Sequence, residues 1–384
     1  MIQLLIGGDT CPIGRNLPLF RQGAARSLCG DLLPVLEQAD LSIVNLECPL
    51  IRAESPMEKV GPNLGSPVEC VKGLEAMGID VVGLANNHIM DHGAQGLRTT
   101  IETLDEHRIA RVGAGENIRE ARTILVREVK GIRIGILAVA EYEFGMANDD
   151  TPGANPMDII DLVRNVGEHG SEFDTLIVLV HGGNEHFPYP RPDLMDTCRF
   201  MVEQGASAVI CQHSHCTGCL EVYQGAPIVY GQGNFLFDMP SSFPTWNEGC
   251  LVQLLVDPRG NCKARMIPFH QAGDAPGARH MTQKEEADWR SAFDERSCHL
   301  GDRRMIEEMW RTFCRANRRY YFQALHGRSS FLRRLAARLD IVRMLDSAEE
   351  RRERLNIIRC ESHRAALRTI LEVEAAPVRK RKPR

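Results

Sequence analysis

The 384-residue chain has no apolar run approaching the roughly 20 residues a membrane-spanning helix needs; its longest such stretches lie near 132–140 and 175–180. It also lacks the basic, then apolar, then small-residue pattern of a secretory leader, because Met1-Ile2-Gln3-Leu4-Leu5-Ile6 runs straight into Gly7-Gly8-Asp9. Its 13 cysteines are not paired at framework spacings. That excludes a disulfide-stapled secreted scaffold and leads us to expect reduced thiols in a cytoplasmic protein. There is no internal repeat and no low-complexity block. No phosphate-cradling Walker loop is present, since Gly113-x-Gly115 lacks the lysine and the following helix. No nucleophile elbow appears either. Phe and Tyr are not interleaved with basic residues, so no nucleic-acid partner is expected.

What is present reads as globular. The composition is 43% hydrophobic and 25% charged, within the ordinary range for folded domains, and at about 150 residues per domain the length suggests two or three. The net charge of −5 is unevenly spread. Residues 1–272 carry 20 Lys and Arg against 34 Asp and Glu, and residues 273–384 carry 26 against 17. Such a split marks two units with different surroundings. In the first, short β-branched runs at 2–7, 41–46, 81–85, 132–140, 176–180, 208–211, 228–230 and 251–256 alternate with amphipathic stretches at 28–38, 67–77, 95–106 and 192–204. This alternation predicts an α/β layered sheet. A linker-like Gly273-Asp274-Ala275-Pro276-Gly277-Ala278 follows, then Arg- and Glu-rich helical patterns at 283–293, 303–325, 331–345 and 349–373.

Five of the apolar runs stop at residues that bind metals or move protons. Gly8-Asp9 follows the first, Asn45-Leu46-Glu47 closes the second, and Asn86-Asn87-His88 follows the third. The run at 176–180 ends at His181, and that at 208–211 ends at Gln212-His213-Ser214-His215. In α/β sheets, ligands bind outside the carboxyl ends of the strands, so these side chains would meet at one edge from remote parts of the chain. Carboxylates, amide oxygens and imidazoles together suit Mn, Fe or Zn. Each piece alone is ordinary: an Asp after a strand commonly serves a turn, and His213-x-His215 is a weak signal. Their coincidence is what points to a divalent metal site.

Read in order, Gly8-Asp9, Asn45-Leu46-Glu47, Leu84-Ala85-Asn86-Asn87-His88-x-x-Asp91-x-Gly93, Gly113-Ala114-Gly115-x-Asn117, His181-Gly182-Gly183-Asn184-Glu185, His213-x-His215 and Gly233-Asn234-Phe235-x-Phe237-Asp238 resemble the CapA-type proteins of poly-gamma-glutamate and surface-polymer synthesis. That family is a branch of the calcineurin-like metallophosphoesterases. The resemblance covers residues 2 to about 256 and not the C-terminal third. It implies an α/β fold, a four-layer αββα metallophosphoesterase-like sandwich over 1–272, with an added C-terminal α-helical region at 281–375 and a basic tail at 376–384. Carried over residue by residue, it implies Asp9, Glu47, Asn87, His181, His213 and His215 as metal ligands, with Glu47 bridging or serving a second position. His88 would hydrogen-bond substrate or protonate a leaving group. A metal can act as a Lewis acid and lower the pKa of bound water to about 7, and imidazole titrates in the range needed to shuttle a proton.

The sequence departs from the superfamily pattern at Cys11, where the first motif usually carries histidine, at Asn45-Leu46-Glu47, where the second usually carries Asp, and at Asn86, which stands in place of Gly. One firm cation position and a weaker or absent second are therefore expected. Around the ligands, Asn45, Asn86, Asp91, Asn234 and His186 are candidates for holding ligands or substrate. Glu185 can serve as a general acid or base, or orient a ligand histidine. Asp91 reads as a turn or cap residue before the 95–106 helix rather than a catalyst, and Asn234 as a site amide or a turn residue. Cys216-x-x-Cys219 reads as ordinary thiols, and the Arg379–Arg384 tail as a solvated segment in preference to one that touches phosphate or the anionic lipid of a membrane.

Three functions fit: a metal-dependent hydrolase acting on a phosphoester, amide or glycan linkage in surface-polymer or peptide metabolism; a metal-assisted, cofactor-independent peptide epimerase; and a non-catalytic metal-stabilised scaffold of a polymer-synthesis complex. The expected partner is a small-molecule, polymer or peptide substrate. The C-terminal helices suit a lid or an oligomer interface equally.

Overall fold

In the computed structural model, residues 1–59 and 61–326 are described; the helices expected at 331–345 and 349–373 and the basic tail lie outside them. Two sheets carry the architecture. In the larger, the strands run in the order Ala278–His280, Cys262–Gln271, Glu248–Val256, Ile2–Cys11, Leu41–Leu46, Val81–Gly83 and Ala110–Val112. A short strand, Asn234–Phe237, pairs with the far end of the first strand. The six-stranded sheet is ordered Leu220–Tyr223, Ala226–Tyr230, Ala208–Gln212, Thr175–His181, Ile132–Ala140 and Leu125–Val129. Each sheet holds four parallel strands at its centre or along one flank, namely 2–11, 41–46, 81–83 and 110–112 in one and 132–140, 175–181, 208–212 and 226–230 in the other.

Strand periodicity divides the apolar residues between layers, because successive side chains point to opposite faces. In Thr175–His181, Ile177 and Leu179 join Ile2, Leu4, Ile6 and Ile43 in a core between the sheets. Leu176, Val178 and Val180 face outward onto Leu194, Met195, Cys198 and Met201 of the helix Pro192–Glu203. On the far side of the larger sheet, Leu5, Val44 and Val82 pack with Phe20, Leu28, Leu74 and Leu97 from the helical layer. Helix, sheet, sheet and helix are thus the four layers expected. Strands buried on both faces read as continuous apolar runs, which is why the sequence announces them.

Three expectations change. The helix expected at 28–38 is broken: Ala25–Cys29 and Leu33–Glu37 flank Gly30, whose φ of 53° lies in the left-handed region that suits glycine. The helix Ile159–His169, capped by the Asp158 carboxylate accepting from the N–H groups of Ile160 and Asp161, is additional. The boundary at 272 moves to Arg311, where the first compact unit ends. Ala278–His280 extends the larger sheet, and Thr282 and Glu285 form a capping box opening the helix Gln283–His299. Trp289 and Phe293 of that helix sit in the core between the sheets. The Gly273–Ala278 stretch is therefore a loop within the unit, with Arg15 donating to the carbonyls of Ala272 and Gly273.

Candidate metal centre

Parallel pairing brings the expected residues to one edge. Asp9 lies opposite Asn45 on one neighbouring strand and Asn234 on another, with a bulge between Gly7 and Asp9. Gly8 sits at this bulge. A Cβ there would run into the carbonyl oxygen of Gly233, so the close approach of the 233–237 segment requires glycine. Below the site, Gln212 donates to the Gly7 carbonyl and to Gln232, and Gln232 donates to the Ile6 carbonyl. These buried amides tie the ends of the two sheets together.

At the centre is Glu47, 0% exposed, with no hydrogen-bond partner on either carboxylate oxygen. Its Oε1 is 3.5 Å from His181 Nε2 and 3.9 Å from His215 Nε2. Burial, and then the charges of Asp9 and Glu185, push its pKa well above the usual carboxylate value. An isolated buried carboxylate costs several kcal/mol, and a cation among these donors would remove that cost. Two donor groups share Glu47: Glu47, His181 and His213, and Asp9, Glu47 and His215. Within each, the ligating atoms all lie within 4.8 Å of one another. The Asn87 Oδ1 is 3.0 Å from His181 Nε2 and adds an amide oxygen to the first group. The chemistry of this donor set is compatible with a divalent metal.

The surroundings hold His181 and Asp9 in ligating form. Burial and the neighbouring His213 push the His181 pKa well below its ordinary value, keeping the ring neutral. Burial alone would raise Asp9, but its hydrogen bond to His215, the charges of His181 and His215 and the Asn45 amide outweigh this and hold it down at about 2. His215 is raised despite burial by Asp9 and Glu185, and its Nδ1 meets Asn234 Oδ1 at 2.8 Å. His213 and His215 have φ of 91° and 51°, a left-handed conformation that costs non-glycine residues about 1–3 kcal/mol each and clusters at functional sites. The His213 N–H donates to Asp9 Oδ2 at 3.1 Å.

The amide candidates divide by task. Asn45 donates from Nδ2 to Asp9 Oδ1 at 2.8 Å, and Asn86 donates to Asn45 Oδ1 and the Leu46 carbonyl. Asn234, expected in the site or in a turn, opens the strand Asn234–Phe237 and braces His215 while donating to the Trp246 carbonyl. His88 sits beside the ligands with Nδ1 2.6 Å from Asp91 Oδ2. Asp91 is not a helix cap: His92 occupies that position before Gly93–Glu106, without a side-chain bond. Glu185 is exposed at the mouth and does not orient a ligand; His181 meets Asn45 through Nδ1 and Asn87 through Nε2. His186 stacks on Phe243, with ring centroids 3.4 Å apart, rather than joining the donors. Cys11 belongs to neither donor group and neighbours Cys48 instead. Cys216 and Cys219 are free, buried thiols, the first raised by burial to about 12.

Two groups were not visible in the sequence. Lys59, with a side chain 2% exposed, is ion-paired to Asp91, lies over the Phe144 ring and approaches His88 Nδ1 at 3.2 Å, so Lys59 and Asp91 form a buried ion pair against His88. Glu143 accepts from Asn87 Nδ2 at 2.8 Å and lies 3.5 Å from His213 Nε2. Lys59 follows no long apolar run, and Glu143 lies three residues beyond one, past the positions that close it.

The family model described as bacterial capsule synthesis protein PGA_cap matches residues 3–239, more than half of the chain. The chain belongs to this family. This PGA_cap-family chain is similar to the capsule biosynthesis protein CapA of Bacillus anthracis, 27% identical over 298 residues covering 72% of each chain. It is also similar to the PGA biosynthesis protein CapA of Bacillus subtilis (strain 168), 28% identical over 261 residues covering 66% of this chain and 68% of that one. Among solved structures, a 5'-nucleotidase precursor from Thermus thermophilus aligns with a TM-score of 0.41 and 13% identity, covering 76% of this chain and 57% of that one. Every donor lies inside the PGA_cap match, whereas the strands Glu248–Val256 and Cys262–Gln271 and the helix Gln283–His299 lie beyond it.

Proposed function

We propose that this PGA_cap-family chain is a metal-dependent hydrolase acting on an amide or phosphoester linkage in capsule-polymer or poly-gamma-glutamate metabolism. The observation that carries the reading is Glu47, a fully buried carboxylate with two unpartnered oxygens amid three imidazoles and a second carboxylate. Glu47, Asn87, His181 and His213 would hold one cation, and Asp9, Glu47 and His215 a second. The second position is the poorer, because Cys11 stands where a further imidazole would be. A bound divalent ion supplies Lewis acidity at the reacting bond. The side chains supply the rest. With Nδ1 of His88 engaged by Asp91 and Lys59, Nε2 is the atom left to exchange a proton with substrate, and Lys59 pairs with the other Asp91 oxygen. Glu185 at the mouth offers a second proton carrier. Phe237 and Trp246 pack against the His215 ring and keep water from that side.

The test is metal analysis of the purified protein together with assays on poly-gamma-glutamate and on an aryl phosphate. Bound transition metal and cleavage, both lost in Asp9→Ala and His213→Ala, support the reading. Full turnover by metal-stripped protein overturns it. Deuterium uptake from solvent into a peptide without new chain ends replaces it with the epimerase reading.

A further inference from the structure

We infer that Glu143 is a positioning residue that decides which end of the Asn87 amide faces the metal. The inference rests on the metal reading above. An asparagine amide has nearly the same shape when turned by 180°, so its orientation follows from its hydrogen-bond partners. Oxygen toward a cation ligates; the NH₂ end, carrying two donors and no acceptor, repels. Asn87 is 8% exposed, and its Oδ1 points at the His181 side of the donor group, 3.0 Å from Nε2. Its Nδ2 faces outward to Glu143 Oε2 at 2.8 Å. A carboxylate accepts only, so it selects the NH₂ end and turns the oxygen inward.

Glu143 is itself held. The neighbouring Glu141 donates its N–H to the His181 carbonyl and accepts two bonds from the Arg191 guanidinium. On the other side, the Phe144 ring lies under the Lys59 ammonium, 5.3 Å from its centroid. The loop after the strand Ile132–Ala140 is thus fixed on both flanks of Glu143. The segment belongs to the second sheet, whereas Asn87 follows a strand of the first. The contact therefore couples the metal position to the alignment of the two sheets. Partners that orient a ligand are worth roughly 10–100-fold in metal affinity.

The experiment is calorimetric titration of metal-free protein with Mn²⁺, comparing wild type, Glu143→Ala, Glu143→Gln, Asn87→Ala and the Asn87→Ala/Glu143→Ala double variant. We expect Glu143→Ala to weaken binding about 10–100-fold. Glu143→Gln should restore most of it, since its carbonyl oxygen still accepts from Asn87. In the Asn87→Ala background, removing Glu143 should cost far less, only what its 3.5 Å approach to His213 Nε2 contributes. Wild-type affinity in Glu143→Ala, failure of Gln to rescue, or additive losses each overturn the inference while leaving the metal reading intact. Failure of the wild type to bind Mn²⁺ overturns both.

Discussion

Asp91 joins two demands that pull apart under mutation. It orients His88 through Oδ2, and it neutralises Lys59, whose side chain is almost fully buried. Replacing it by Asn leaves an ammonium buried without a counter-ion, a change that typically costs about 3–5 kcal/mol. Denaturant unfolding should show Asp91→Asn to be strongly destabilised and the double variant Lys59→Met/Asp91→Asn to recover much of the loss. Turnover should stay low in both, because an amide at position 91 no longer supplies the negative charge beside His88; a fully active double variant would exclude a role for the Asp91 carboxylate in proton transfer. Glu47 gives the opposite signature. In metal-stripped protein Glu47→Gln should raise the melting temperature, since the cost of burying an unpartnered ionisable carboxyl is gone. Added Mn²⁺ should stabilise wild type, by about 2.7 kcal/mol at a hundredfold excess over Kd, and leave Glu47→Gln unmoved. At this scale the sequence exposes residues that follow long apolar runs, as Asp9, Glu47, Asn87, His181 and the His213–His215 pair do. Glu143 and Lys59 lie in loops, and their contacts with Asn87 and Asp91 span 56 and 32 positions. The legible residues contact one another over longer separations still, so what hides these two is that neither closes a strand.

Among the elements, strands with both faces covered were legible, and half-exposed ones were not. Thr175–His181 is buried at every position, whereas Cys262–Gln271 mixes exposed Lys263 and Arg265 with buried Met266 and Phe269. Leu125–Val129 and Leu220–Tyr223 are edge strands with mostly half-exposed side chains, so neither shows a strong apolar run. The helix Gln283–His299 is polar along most of its length and inserts only Trp289 and Phe293, stacked at 4.7 Å, into the sandwich core. Trp289→Ala should cost about 3–5 kcal/mol in thermal unfolding; an unchanged transition would show the helix to be peripheral. The turn after Asn234–Phe237 is fixed by Asp238, which accepts from the Arg15 guanidinium at 2.8 and 2.9 Å. Burial raises that carboxyl, but the Arg15 bonds outweigh it and lower its pKa below the ordinary 3.8. A depressed carboxyl contributes stability above its unfolded value and loses it as pH falls through the folded one. The difference in stability between wild type and Asp238→Asn should therefore be full at neutral pH and shrink below about pH 4.

For the molecule as a whole, the charge reversal near residue 273 marks a change of composition, not the end of the sandwich. Trp289 and Phe293 complete the inter-sheet core, and Leu300 and Ile306 complete the outer layer. A chain ending at Arg311 should keep a cooperative melting transition. One ending at residue 272 should lose it, since it forfeits these four side chains, and calorimetry would distinguish the two. Charge is set by surface residues and buried packing by a sparse minority, so a boundary read from composition need not coincide with one read from the core.

The placement of the first strand has a consequence for synthesis. Ile2–Cys11 lies inside its sheet, between Leu41–Leu46 and Glu248–Val256. One flank can be satisfied as soon as some forty further residues have left the ribosome, whereas the other waits for about two hundred more. During that interval the apolar edge of Ile2–Ile6 stays open. Such edges invite pairing with other nascent chains. A strand made before its second neighbour is closed late, and its edge is exposed to such pairing until Glu248–Val256 has been made.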